Sequence, residues 1–344
     1  MLRHARRAVA ALLLTLAVVA TATGPVAANF PGRNGQIVFQ RFDANGEWQI
    51  WVANPDLTHQ HQITFGPSDN SFPAWSPDGT RIAFQSHRTD PDPTDDIDIQ
   101  EIFTMRPDGS DVRQITDLAS DTEKPGWSPD GRSVLFATSG ADYPHSMGIY
   151  ITRSNGSGAP RRLTRLSGTS FWQELARFSP DGKAIEYTEY RPAANPDEPD
   201  ESALLIARSD GSHPKQITPW ELRAADADWS PDGRRLVFAS RLASRDFIQS
   251  IAVVDIDGKH LRELTSDDGL TFDGDIVVRY QESFNSVWSP DGKRVLFVRA
   301  SYTDADGFDM GLMTIRPDGS RQTFVSDVHG EEHQPEWGVR PIVN

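Results

Sequence analysis

The sequence predicts an all-β fold, a six-bladed β-propeller of four-stranded blades. Three observations carry the prediction. A short turn motif recurs about every fifty residues, each interval holds four short strand patterns, and the two chain ends are complementary parts of one further unit.

The motif is clearest at Trp75-Ser76-Pro77-Asp78-Gly79. Further copies begin at Trp127, Phe178, Trp229 and Trp288, and a shortened one reads Pro335-Glu336-Trp337-Gly338. The spacings are 52, 51, 51, 59 and 49 residues. Within the unit that starts at Trp75, a first strand ends on the Trp and Ser-Pro-Asp-Gly makes a tight turn. Pro pre-sets φ, Asp bonds the nearby backbone, and Gly takes a conformation that other residues resist. Arg81 to Gln85 is the second strand, Glu101 to Met105 the third, Pro107-Asp108-Gly109-Ser110 a second tight turn, and Val112 to Thr116 the fourth strand. Short apolar runs in later units repeat the second strand, as in Val134-Leu135-Phe136 and Leu236-Val237-Phe238.

The ends account for ring closure. Asn34 to Phe39 matches a second strand, and third and fourth strands follow at Gln49 to Val52 and His61 to Thr64. The C-terminus supplies only a first strand, at Trp337. One strand from the end and three from the start therefore complete the sixth blade and leave no open sheet edge between blades.

Residues 1–28 read as a signal peptide. Arg3, Arg6 and Arg7 precede the apolar run from Ala8 to Ala20, which is too short for a membrane span. Cleavage falls between Ala22 and Ala28, with Ala28 preferred, and residues 29–344 form the single propeller domain. The expected location is therefore outside the cytoplasm, extracellular or periplasmic, with no membrane insertion after cleavage. The chain has no Cys, so it carries neither a lipid-bearing thiol nor a disulfide. Its formal charge is −15 and becomes about −18 once the leader arginines are removed. That excess of negative charge argues against nucleic acid and anionic lipid as partners.

Ser beside Asp in the turn motif suggests a catalytic pair. However, the motif recurs in every blade on turns that point away from one another, and catalysis needs one convergent site. The turn is structural on this reading, and the Trp before it is a wedge between blades.

The pattern Pro-x-Trp-Ser-Pro-Asp-Gly-x-x-Ile-x-Phe, then Ile-x-x-Met-x-x-Asp-Gly-Ser, then Arg-Gln-Ile-Thr, resembles the propeller repeat of the TolB family, often called WD40-like. The resemblance covers nearly all of residues 29–344. It extends to the propeller only, without the N-terminal α/β domain of TolB itself. Propeller-bearing peptidases of similar repeat add a hydrolase domain with a Gly-x-Ser-x-Gly elbow, which this sequence lacks. Oligogalacturonate lyases of similar repeat have seven blades and a His-rich metal site. The resemblance implies fold more sharply than activity, since the family includes scaffolds, accessory domains and lyases.

Strand alternation puts both tight turns of a blade on one face and the variable second-to-third and fourth-to-first connections on the other. A binding site for a protein, peptide or glycan is expected on this variable-loop face. Six residues before each motif aromatic stand Asp69, Asp121, Trp172, Arg223, Glu282 and Glu331. With the motif strand innermost, they would either ring one mouth of the central channel and attract a cation or a basic peptide, or cap turns and bond backbone amides at the strand entries. Two acidic segments offer oxygen ligands for calcium: Asp95, Asp96 and Asp98 in one loop, and Asp304, Asp306 and Asp309 in another. No cofactor is otherwise required. Between Thr265 and Trp288 the connection is 23 residues long against 11 in three other blades, which suits either a binding lip or a packed decoration of the blade. The expected function is a monomeric, non-catalytic binding scaffold. The alternative is a polysaccharide lyase or hydrolase with its site at the channel mouth.

Overall fold

A computed structural model describes residues 30–90, 99–138, 147–195, 198–241, 248–265, 271–273, 276–303, 307–325 and 332–341. Its strands fall into six antiparallel sheets. Blade I contains β1 (Asn34–Phe42), β2 (Trp48–Ala53) and β3 (His61–Gln62). Blade II is β4 (Asn70–Trp75), β5 (Ile82–Ser86), β6 (Glu101–Met105) and β7 (Arg113–Gln114). Blade III is β8 (Thr122–Trp127), β9 (Ser133–Thr138), β10 (Gly148–Arg153) and β11 (Arg161–Arg162). Blade IV is β12 (Trp172–Phe178), β13 (Ala184–Arg191), β14 (Glu201–Arg208) and β15 (Lys215–Gln216). Blade V is β16 (Ala225–Trp229), β17 (Arg235–Ser240), β18 (Ser250–Asp255) and β19 (Arg262–Glu263). Blade VI is β20 (Thr271–Asp273), β21 (Ile276–Trp288), β22 (Val295–Thr303), β23 (Gly307–Ile315) and β24 (Thr323–Phe324). The last strand, β25 (His333–Val339), pairs with β1 and completes blade I as the ends of the sequence predict.

The first strand of each blade is innermost. Each packs on the first strands of both neighbouring blades, and β25 meets β4 to close the circle. The apolar core is divided into six inter-blade layers. Val38, Ile50 and Val52 of blade I meet Trp75, Ile82 and Phe84 of blade II, for example. Ile37 and Phe39, one residue to either side of Val38, pack instead with Val287 and Leu296 of blade VI. Second strands are buried on both faces, so they read as continuous apolar runs rather than as alternation.

Hydrogen bonds explain why the repeat keeps its polar residues. In the motif turn, Ser230 Oγ donates to Asp232 Oδ1 at 2.6 Å and accepts from Arg235 N at 2.9 Å. The other copies do the same, as at Ser76 with Asp78 and Ser128 with Asp130. The turn Gly takes positive φ, 68° at Gly131, and lies against the Pro of the preceding blade, here Pro77. In five blades a Thr just after the fourth strand caps the third: Thr64, Thr116, Thr164, Thr218 and Thr265 accept from a strand amide at 2.8–2.9 Å. Ser and Asp of the motif are thus spent on turn geometry, as expected.

The segment between Thr265 and Trp288 follows the second of its two expected forms, a packed addition to the blade. Its described part is a strand extension rather than a loop lip. Here β20 pairs with a 13-residue β21, and β22 and β23 lengthen to match. The run Ile276-Val277-Val278-Arg279-Tyr280 has the β-branched and aromatic content of a strand, which favours pairing over an open loop. A single 3-10 turn, Trp220–Leu222, is the one helical element among the described residues.

Candidate functional site: the axial channel and the loop face

Every innermost strand carries a β-bulge or register break near its middle. Three residues before the motif aromatic, the backbone turns left-handed at a non-glycine residue. Phe72, Lys124, Leu175, Asp226, Asn285 and Gln334 have φ of 48, 55, 50, 52, 50 and 48°. Such a conformation costs on the order of 1–2 kcal/mol per residue, and sixfold repetition marks it as built into the blade. In two blades the freed bulge amide is held by a glutamine of the preceding blade. Phe72 N donates to Gln40 Oε1 at 2.8 Å, and Lys124 N donates to Gln85 Oε1 at 2.9 Å. The six bulge residues line the axis together.

The narrow space between the axial residues measures only about 20 Å³, room for a single water. Two polar layers close the channel. Toward the loop face, Lys124 pairs with Glu174, both largely buried. Tyr190 Oη donates to Glu174 at 2.6 Å and Trp172 Nε1 at 3.1 Å. The Lys124 ammonium also lies 5.3 Å from the centre of the Phe72 ring. Burial alone would lower the Lys124 pKa, but Glu174, Glu123 and Asp226 outweigh it and hold the ammonium above its ordinary value. Burial would raise Glu174, but Lys124 reverses the sign and keeps it ionised. Asp226 is raised, chiefly by burial, with attraction to Lys124 insufficient to offset it. It accepts from Asn285 Nδ2 at 3.0 Å.

Toward the turn face, Arg177 lies 3.0 Å from Glu336. Asp228 accepts from Trp288 N at 2.7 Å, and Glu186 is fully buried with neither carboxyl oxygen hydrogen-bonded. Burial raises Glu186 and Asp228 well above the usual carboxylate range, with Arg177 offsetting only part of it. One guanidinium thus faces three buried carboxyls, and the layer favours protonated acids.

The residues predicted to ring the mouth are used in several ways. Asp69 Oδ1 accepts from Trp48 N at 2.6 Å, tying blade II to blade I. Trp172 serves Glu174. Arg223 ends the 3-10 turn with φ 50° and lies 3.9 Å from Glu198. Asp121 directly precedes β8, and Glu282 pairs with Ala300 across β21 and β22. Glu331 lies outside the described residues, as do Asp95, Asp96, Asp98, Asp304 and Asp306. Asp309 stands in β23 opposite Ser301. Among the described residues no group of three or more His, Asp or Glu is placed to hold a metal ion. The axial residues were missed because they differ in type from blade to blade, as at Phe72, Lys124 and Leu175, and only ring closure brings them together. The signal available was a polar or charged residue three before the motif aromatic in four blades: Lys124, Asp226, Asn285 and Gln334.

The loop face carries exposed aromatic surface. Phe65 is 73% exposed, Phe308 50%, Phe42 39% and Phe171 38%. Phe65 and Phe171 lie in fourth-to-first connections, while Phe42 ends a second strand and Phe308 begins a third, so all four reach the same side of the ring. Near the axis, Phe42 stacks on Trp48 at 3.7 Å, and His333 contacts both Trp48 and Phe284, at 5.1 and 5.7 Å between ring centres.

The ring aligns with TolB from Acinetobacter baumannii at a TM-score of 0.65, with 22% identity over 89% of this chain and 67% of that one. The fold is that of a TolB-like propeller. A putative TolB from Agrobacterium tumefaciens gives a TM-score of 0.60, with 20% identity over 89% of this chain and 98% of that one. An oligogalacturonate lyase in complex with manganese aligns at 0.51, with 15% identity over 86% and 94% of the two chains. No family model matches the chain. Among curated relatives, an uncharacterized peptidase of Bacillus subtilis is 26% identical over 57% of this chain. An uncharacterized protein of Agrobacterium fabrum is 30% identical over 42% of it. The matches span 26% and 48% of those two relatives' own lengths.

Proposed function

We propose that this TolB-like propeller is an exported, non-catalytic scaffold that docks a protein partner on its loop face. The observation that carries the reading is the set of exposed phenylalanines there: Phe42, Phe65, Phe171 and Phe308. Exposed aromatic side chains on one side of a rigid ring suit the centre of a protein interface. The narrowness of the channel supports the same reading, because the Lys124–Glu174 pair and its neighbours fill the axis. The leader read in residues 1–28 is the basis for export, to the periplasm or beyond. The test is capture from an envelope extract with immobilised protein and a Phe65→Ser/Phe171→Ser/Phe308→Ser variant that melts at the same temperature. A band held by the native protein and lost by the variant is expected. Equal capture by both would reject the loop face.

A second reading rests on a specific contrast. Glu174 and Asp226, both beside Lys124, have their acidities pushed in opposite directions, as acid–base pairs require. On that reading the chain cleaves an acidic polysaccharide at the channel mouth. Release of unsaturated products by the native protein and its loss in Asp226→Asn would favour it, and no release by the native protein would end it.

A further inference from the structure

The turn face holds a feature that the loop-face reading leaves unused. Phe30, Pro31 and Gly32 precede β1 and cross this face. Phe30 is 3% exposed and packs into the layer between blades II and III with Ala74 and Trp127. Gly32 N donates to Pro290 O of blade VI at 3.0 Å. Between them, Pro31 lines a depression of about 440 Å³ between blades IV and V, with Pro180, Ile206, Trp229, Pro231 and Ile256.

The repeat builds the same groove again. Between blades II and III and between III and IV, the positions of Pro180 and Trp229 are held by Pro77 with Trp127 and by Pro129 with Phe178. These two grooves merge into one open depression of about 790 Å³, with Ile151 among its lining residues. Its rim carries Asp78, Asp130 and Asp181. Their Oδ1 atoms are engaged inside the turns. Against burial, the turn hydrogen bonds hold all three carboxyls below their ordinary value, so they stay ionised. Arg81, also in the lining, is paired with Asp111 at 2.9 Å.

We propose that the depression over blades II to IV binds an extended, proline-containing peptide segment of a partner, flanked by Lys or Arg. The chain's own Pro31 supplies the precedent, because it lies against the proline and aromatic wall of the pseudo-equivalent groove. A proline-containing segment is partly pre-ordered and fits a floor of proline and aromatic faces. The aspartate rim selects basic flanks. This site lies on the opposite face from the proposed protein interface and stands independently of it.

The probe is a labelled peptide Arg-Phe-Pro-Gly-Arg-Arg, with an acid-flanked version and a version carrying Ala for Pro as controls. Binding is read by fluorescence anisotropy on the native protein, on Ser209→Trp, and on Asp78→Asn/Asp130→Asn/Asp181→Asn. Ser209 is a half-buried lining residue, so Trp there fills the depression. Asn keeps the turn acceptor while removing the charge. Saturable binding of the basic peptide is expected, lost in Ser209→Trp and weakened about tenfold in the triple variant. Both controls should bind more weakly. No saturation up to about 1 mM peptide would overturn the proposal, as would equal binding to all three proteins. Self-association abolished by Ser209→Trp would assign the depression to a second copy and overturn it. Binding that appears only after trimming residues upstream of Phe30 would assign it to the chain's own leader, with the same consequence.

Discussion

Replacing Lys124 by Met keeps the apolar stem and removes the ammonium. The native pair is largely buried, with side-chain exposures of 13% and 11%. Breaking such a pair by removing one partner costs about 3–5 kcal/mol, because the remaining charge stays buried. Here Tyr190 and Trp172 still donate to Glu174, which places the loss at the lower end. Loss of the contact with the Phe72 ring adds about 0.5–1 kcal/mol. The net expectation is about 3.5–4 kcal/mol, or roughly 6 °C in Tm for a domain of this size. Urea unfolding of native protein, Lys124→Met, Glu174→Gln and the double variant reads it directly. The cycle should show a coupling of at least about 2 kcal/mol, with the double variant recovering most of the loss. A single-variant loss below about 1 kcal/mol, or no coupling, would refute the claim that this pair plugs the channel.

Other expectations follow from the lower layer and from close backbone contacts. Burial raises the folded-state carboxyls of Glu186, Asp228 and Glu336, so their contribution is complete below the usual carboxylate range and is lost as pH rises through their elevated values. The turn aspartates Asp78, Asp130, Asp181 and Asp232 are lowered, so theirs is present above 3.8 and lost as pH falls further. Tm should therefore peak near about pH 5 and decline toward pH 8, and Glu186→Gln should flatten that decline. A Tm that is level across this range in the native protein would contradict the assignment. Gly211→Ala puts a Cβ 2.2 Å from Leu163 O at a φ of 84°. It should cost at least about 2 kcal/mol in urea unfolding, and a neutral result would show that blades III and IV separate easily there.

The architecture was legible because the repeat prints its own hydrogen bonds. Ser76 and Asp78 recur because one turn needs both, and Thr116 recurs because it caps the third strand. Blade closure was legible because β1 and β25 each lack what the other supplies. The axial site was not. Lys124, Glu174 and Asp226 belong to three different blades, and only ring closure brings them together. Bulges turn Phe72 and its five counterparts inward at residues that carry no glycine signal. Of the positions six before the motif aromatic, Asp69 and Arg223 stand just ahead of the innermost strands, and Asp69 accepts from Trp48 N while Arg223 N–H closes the 3-10 turn on Trp220 O. Phe30 gave no signal either, because a lone Phe after a leader has no periodicity to read.

The loop face is the centre of the account, and site-specific photo-crosslinking tests it most directly. A photoreactive residue is placed at Phe65 or at Phe308 and, as a control, at Lys259, which lies in an exposed tight turn of blade V. Each protein is then illuminated in an envelope extract. The account predicts one adduct of defined mass from both loop-face positions and none from position 259. Adducts from position 259 alone, or none from either phenylalanine position, would contradict it.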